Sequence, residues 1–224
     1  MTTTTDDLDA EVAAPAERSR LSIILIVIAS VAALLIAGTL GWITGGDGDS
    51  TVKIAASSVD AGFARDMSIH HTQAVTMAGY ERDFSSSPAL KILAFDIETS
   101  QETEIGRMQG WLDSWGLTRQ SSIAPMAWMG TPLSSIQQMP GLASPAQINK
   151  LETLRGKPLD ILFLQLMIRH HQGGLRMATY AADHAKESYV RQLAGNMVVN
   201  QNNEIIEMEQ YLRQLGGKPL SAVK

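Results

Sequence analysis

Along most of this chain apolar residues recur every three or four positions, and nowhere do they alternate as a half-buried strand requires. The pattern predicts four long helices: from Asp60 to about residue 83, from Pro88 to about Trp115, from Pro158 and Asp160 to about His184, and from about Glu187 to Leu215. Asp60 is the expected N-cap of the first, "DFSSSP" breaks it, and Gly116 and Gly216 stop the second and fourth. The short polar runs "RQ", "ERD" and "AKES" read as solvated faces. One segment departs from the periodic pattern. Leu21–Ile43, "LSIILIVIASVAALLIAGTLGWI", is continuously apolar and uncharged, and meets the roughly 20 residues that a membrane-spanning helix needs.

A shift of 100 residues superimposes the chain on itself without a gap. Asp60 falls on Asp160, Phe63 on Phe163, Met67 on Met167, His70 and His71 on His170 and His171, and Met77 on Met177. The register continues through Gln101 and Gln201, Glu104 and Glu204, Met108 and Met208, and Gly116 and Gly216. This is a duplicated helical hairpin, with units at 58–116 and 158–216 joined by a connection over 117–157. Within that connection "SPAQINKLETL" predicts a short helix capped by Ser144, with Pro145 at its first position. A long connection between the second and third helices suits an end-to-end crossover. The expected fold is therefore all-α, a ferritin-like four-helix bundle over 58–217 that follows an N-terminal transmembrane helix. A polar tail (1–20) precedes the span, a linker (44–57) follows it, and 218–224 form a C-terminal tail.

At 100° per residue, Phe63, Met67, His70, His71, Met77 and Ala78 fall in one stripe about 120° wide. Gln101, Glu104, Met108 and Leu112 share a stripe on the next helix, and the second unit repeats both patterns. The histidines thus point inward with the core residues. Because they sit near mid-helix, folding one hairpin onto the other gathers four imidazoles, two glutamates and several thioethers at one centre. A buried polar group left unpaired costs roughly 1–3 kcal/mol, so such a centre needs a metal or a His–Glu–Gln hydrogen-bond network. Thioether and imidazole without thiolate favour copper as Cu(I). Zinc gains little from methionine. A di-iron site expects carboxylates where Met67 and Met167 stand. Glu104 and Glu204, with Gln101 and Gln201, are placed to orient the imidazoles from behind. His184 has no counterpart in the first unit, and its position near a helix C-terminus predicts a capping role.

Composition narrows the function. The net charge of −5 argues against nucleic acid as a partner. The absence of cysteine excludes disulfides, thiolate zinc sites and iron–sulfur clusters. Arg18 and Arg20 precede the apolar span and "TGGDGDS" follows it, an asymmetry that predicts a cytoplasmic N-terminus and an extracytoplasmic bundle. A cleaved signal peptide is the alternative. The apolar run exceeds the usual 7–15 residues of such a peptide and no A-x-A site closes it, so the reading is an uncleaved single-pass anchor. No nucleophile motif or phosphate-binding loop marks the chain as an enzyme.

At "MPGLASPAQINKLETLRGKPLDILFLQLMIRHHQGGLRMA", and at "QETEIGRMQGWL" and "QNNEIIEMEQYL", the chain resembles the domain-of-unknown-function 305 family over about residues 58–217. That resemblance implies an exported ferritin-like bundle, in a family some of whose members are implicated in copper binding or tolerance. The metal-ligand candidates it implies are Met67, His70, His71, Met77, Met108, Met167, His170, His171, Met177 and Met208. The departures are "HHTQAV" and "HHQGGL" for the familiar "HHQGAI", and "MPGL" for "MPGM". The functional expectation is a membrane-anchored protein that buffers copper or delivers it to an accepting protein. A rival reading makes it a structural subunit of an envelope or respiratory complex, with the polar centre serving as a network. A weaker third is a redox enzyme using iron or copper.

Overall fold

The computed structural model describes residues 53–221. The predicted anchor at 21–43 and the N-terminal tail lie outside that range, and no helix among the described residues is long and apolar enough to cross a membrane. Five α-helices and two short 3-10 turns make up the described chain, which contains no strand. They are α1 (Val59–Phe84), α2 (Pro88–Ser114), α3 (Pro145–Thr153), α4 (Lys157–His184) and α5 (Ser188–Gln214), with the 3-10 turns at Ala127–Met129 and Ile136–Gln138.

Local chemistry sets the boundaries. Ser144 and Gln147 form a reciprocal capping box at the start of α3. Ser87 accepts from the Leu90 N–H ahead of Pro88 at the start of α2. Gly116 and Gly216 adopt φ of +67° and +73°, the left-handed conformation that ends a helix and that glycine reaches without strain. The next amides then turn back onto Leu112 O and Leu212 O, at 2.8 and 2.9 Å.

The cap of α1 corrects the sequence expectation. Ser58, not Asp60, is its N-cap, its Oγ accepting from the Ala61 N–H at 3.1 Å. Asp60 is buried and caps a helix of the other repeat, accepting from the N–H groups of Lys186 (3.2 Å) and Glu187 (2.8 Å) where α5 begins. That helix has no side-chain cap of its own. A second correction concerns the "ERD" run, since Glu81 is fully buried (0% exposed) and not solvated.

The two hairpins, α1–α2 and α4–α5, meet through α1 and α4. The core falls into two apolar clusters, each drawing on all four long helices. One joins Phe63 and Met67 of α1 to Met177 and Ala181 of α4; the other joins Met77 of α1 to Phe163 and Met167 of α4. The early half of each helix therefore packs on the late half of the other, so α1 and α4 run antiparallel about their midpoints. Between the clusters lies a layer of buried polar side chains at those midpoints. The connection is fastened over it. Gln73 of α1 pairs both amide groups with the backbone of Ala143 (2.6 and 3.0 Å), and Gly173 of α4 admits the Pro140 carbonyl against the helix.

Four helix glycines stand where nothing requires them. A Cβ added at Gly79, Gly106, Gly110 or Gly195 meets no atom within 4 Å. Each Gly→Ala change should stabilise the protein by about 0.5–1 kcal/mol through the lower entropy of the unfolded chain. All four together should raise the thermal midpoint by several degrees; an unchanged midpoint in a melting curve would contradict the assignment.

Candidate metal centre

Helical periodicity brings His70 and His71 of α1 against His170 and His171 of α4, all four buried. The His70 and His170 rings are 3.8 Å apart between centroids and inclined by 37°. His71 flanks His70 at 6.3 Å and His171 flanks His170 at 6.1 Å. The imidazoles form a row across the pseudo-two-fold axis, ordered 71, 70, 170, 171. His70 and His170 meet as the duplicated spacing predicts, but the four rings lie in a row and do not gather at one centre.

Each ring is held by its Nε2. His71 donates to Glu104 Oε2 at 2.8 Å and His171 to Glu204 Oε2 at 2.7 Å. The repeat is kept here, with a glutamate from the second helix of each hairpin behind the outer imidazole. The inner pair breaks the symmetry: His70 donates to Pro140 O at 3.1 Å, and His170 to the backbone carbonyl of His70 at 2.9 Å. Carbonyl and carboxylate oxygens only accept, so all four partners put a ring proton on Nε2. That leaves the four Nδ1 atoms, and all four are buried without a hydrogen-bond partner.

Burial also decides the charge of the inner rings. Desolvation, then the neighbouring His71, lowers His70 to about 3, and desolvation followed by His70 holds His170 well below its ordinary value. Both are neutral at physiological pH, and each Nδ1 carries a free lone pair. Gln101 adds two unpartnered amide atoms to the layer and Gln201 its unpartnered Oε1. The two glutamines therefore do not support the imidazoles as the glutamates do. The Gln201 carbonyl and the His70 ring both lie where a side chain on Gly174 would stand, at 2.7 Å and 3.3 Å from an added Cβ. At the equivalent place the first repeat has Ala74.

The candidate thioethers lie on both sides of this layer. Met67, Met108 and Met177 are fully buried in one apolar cluster, and Met77, Met167 and Met208 in the other. Among the described residues no three histidine, aspartate or glutamate side chains converge on one point. A metal held here would take imidazole donors in small number and complete its shell with sulfur or amide oxygen. That donor set fits a soft monovalent ion better than zinc or di-iron.

Several participants escaped the sequence reading. Met197, fully buried in the first cluster, lacks a duplicate because Ile97 occupies its place, so self-comparison passes over it. Met126 and Met139, two of the connection's methionines that the sequence offers as neighbours of the site, are buried in the first cluster. Arg65 and Asp66 are buried charges found in the first repeat alone: Asp66 Oδ2 accepts from the Met126 N–H and Trp128 Nε1–H, both at 2.7 Å, and Arg65 donates to Ala56 O and Thr118 O. Burial raises the Asp66 carboxyl despite these donors. At 100° per residue Asp66 borders the apolar stripe and Arg65 lies opposite it, so periodicity gives no signal for their burial. These two residues line an open cavity of about 590 Å³ under residues 119–137 that includes none of the four histidines. His184 ends α4, stacks on Tyr180 at 4.1 Å and bonds its carbonyl through Nδ1 at 2.9 Å, consistent with a terminal structural role.

Two antiparallel helical hairpins enclosing a layer of buried, inward-facing imidazoles define the class: a helical protein with a buried nitrogen- and sulfur-rich centre. By its sequence the chain belongs to the family described as Domain of unknown function (DUF305), whose model matches residues 60–212. Among solved structures it is similar to a putative secreted DUF305 protein from Streptomyces coelicolor, with 43% identity, a TM-score of 0.70, and 75% of this chain and 99% of that one covered. A DUF305 fragment from Deinococcus radiodurans matches at 33% identity and TM-score 0.60, covering 70% and 96%. CopM in its Cu(I)-bound form matches at 26% identity and TM-score 0.53, covering 70% and 98%. CopM is also solved in Cu(II)-bound, Ag-bound and apo forms. No curated protein matches the chain.

Proposed function

We propose that this protein is a membrane-anchored, extracytoplasmic copper-binding protein that buffers Cu(I) or hands it to an accepting protein. The observation that carries the reading is the set of four buried Nδ1 atoms without partners, on rings whose Nε2 atoms are all engaged. Orphaned lone pairs in a dry core are costly, and a soft cation satisfies them. The likeness to CopM, solved with Cu(I), Cu(II) and Ag, supports the choice of metal. His70, His71, His170 and His171 are the nitrogen donors in this reading. Met67, Met77, Met108, Met167, Met177 and Met208 are the sulfur candidates, within a ferritin-like four-helix bundle. The anchor rests on the uncharged span Leu21–Ile43 with Arg18 and Arg20 before it.

The test is Cu(I) titration of the full chain against a competing chelator. Wild type should bind stoichiometrically and melt at a higher temperature when loaded, since free metal at about 100 times Kd adds about 2.7 kcal/mol. Changing all four histidines to Ala should weaken binding by about 100-fold or more. If the cavities left by Ala unfold the chain, His70→Leu with His170→Leu removes the inner pair at nearly constant volume. Unchanged Cu(I) affinity in a folded variant would sink the reading.

A further inference from the structure

The least explained group outside the histidine layer is Glu81. It is fully buried three residues before the end of α1, and neither carboxyl oxygen has a hydrogen-bond partner. It faces Asp160, itself 2% exposed, in the first turn of α4. Between the two repeats stands Ser85, whose hydroxyl has a single proton and gives it to Asp160 Oδ1 at 2.8 Å. Ser85 Oγ in turn accepts from the Ser87 N–H at 3.0 Å. The one hydroxyl beside Glu81 is thus engaged by Asp160, and no other donor reaches either Glu81 oxygen. Two ionised carboxylates facing each other in a dry site repel, and carboxylate oxygens cannot bond one another unless one carries a proton.

We propose that Glu81 and Asp160 share one proton, forming a pH-sensitive latch that joins the α1–α2 corner of the first repeat to the start of α4 in the second. The proton resides on Glu81, whose O–H donates to the Asp160 carboxylate. Helix polarity dictates that choice. Asp160 lies at the positive end of α4, which favours its anion, whereas Glu81 lies near the negative end of α1, which disfavours one there. The other charge facing the pair is Lys91 of α2, a minor opposing influence whose ammonium donates to Asp83 O at 3.4 Å near the surface. Burial, followed by the Asp160 charge, pushes Glu81 up to about 8.

The duplication supplies an internal control. Asp60, the equivalent of Asp160, caps α5 in a site where residues 181 and 185 are both alanine. The corner is thus built without a second carboxyl in one repeat, and Glu81 with Ser85 is an addition in the other. Raising the pH removes one proton to solvent and leaves two buried carboxylates, which loosens the corner.

The sign follows from linkage. The folded state holds the proton up to about pH 8 whereas the unfolded chain loses it near 4.5, so stability from this group declines across that interval and levels off above it. For the full chain, the thermal midpoint should fall between pH 5 and 9 by on the order of 5–10 °C relative to Glu81→Gln, whose amide N–H donates to Asp160 at every pH. Infrared spectra at pH 7 should show a protonated-carboxyl carbonyl band that E81Q loses and that disappears from wild type in alkali. Should E81Q fold poorly, Glu81→Ala with Ser85→Ala recreates the alanine pair of the other repeat and should also lack the slope. A folded variant with the wild-type pH slope, or a wild type whose infrared band E81Q leaves intact, overturns the proposal.

Discussion

Gly173→Ala is expected to destabilise the protein by about 3 kcal/mol, at the upper end of overpacking effects. For a chain of this size that corresponds to a fall in the thermal midpoint of about 6–12 °C. The added Cβ would sit 2.0 Å from Pro140 O, 2.4 Å from Pro140 C and 2.8 Å from Gly141 N, all of them backbone atoms. No side chain can turn away to relieve that contact. The contact is matched from the other side, where a Cβ on Gly141 would meet Arg169 O at 2.6 Å and His170 O at 2.9 Å. The connection must lift off α4, and the Pro140 carbonyl that orients His70 leaves with it. A melting curve checks the outcome, with Gly79→Ala as the control that should shift it the other way. A loss under about 1 kcal/mol would mean the connection is not seated as described.

The second large effect is expected from Glu104→Ala combined with Glu204→Ala. Each glutamate bonds the Nε2 of an outer imidazole and thereby leaves Nδ1 as the lone-pair atom. Without it the buried Nε2–H loses its partner, at roughly 1–3 kcal/mol per site. The ring is then free to turn or to change tautomer. If these rings serve as copper ligands, removing the groups behind them should weaken Cu(I) binding by about 10–100-fold, the usual effect of such supporting carboxylates. Glu→Gln should retain part of the affinity, because the amide oxygen still accepts. Equal Cu(I) affinity in wild type and the double Ala variant, measured by chelator competition, would show that the glutamates do not support the ligands.

Much of this architecture was legible because the duplication is exact in register. A constant offset of 100 residues needs no structural knowledge, and helical periodicity carries it from sequence to a shared inward face. The convergence of His70 with His170 follows from those two facts, as does the glutamate behind each outer histidine. What remained hidden depends on partners remote in sequence and often on backbone atoms. Asp60 resembles a local cap, yet it serves amides 126 and 127 residues away. Glu81 sits in a run of charges, and nothing nearby reveals that Asp160 covers it. The seating of Pro140 on His70 belongs to an aperiodic connection whose path hydrophobic spacing does not encode. "PG" in that segment and "GG" in α4 are the traces it left: the two backbones meet at Gly141 and Gly173, while Gly174 makes room for the Gln201 and His70 side chains.

The crossover has an evolutionary consequence as well as a mechanical one. Two copies of a single hairpin associating as separate chains would be condemned to change in step, each substitution appearing at both ends of the molecule. Tethered in one polypeptide, the halves are released from that obligation. Position 174 is glycine where its counterpart is Ala74, and a carbonyl from the tether holds one inner imidazole while its twin bonds another. Single replacements at His70 and His170 are therefore different experiments, despite their shared ancestry, because the rings no longer occupy equal surroundings.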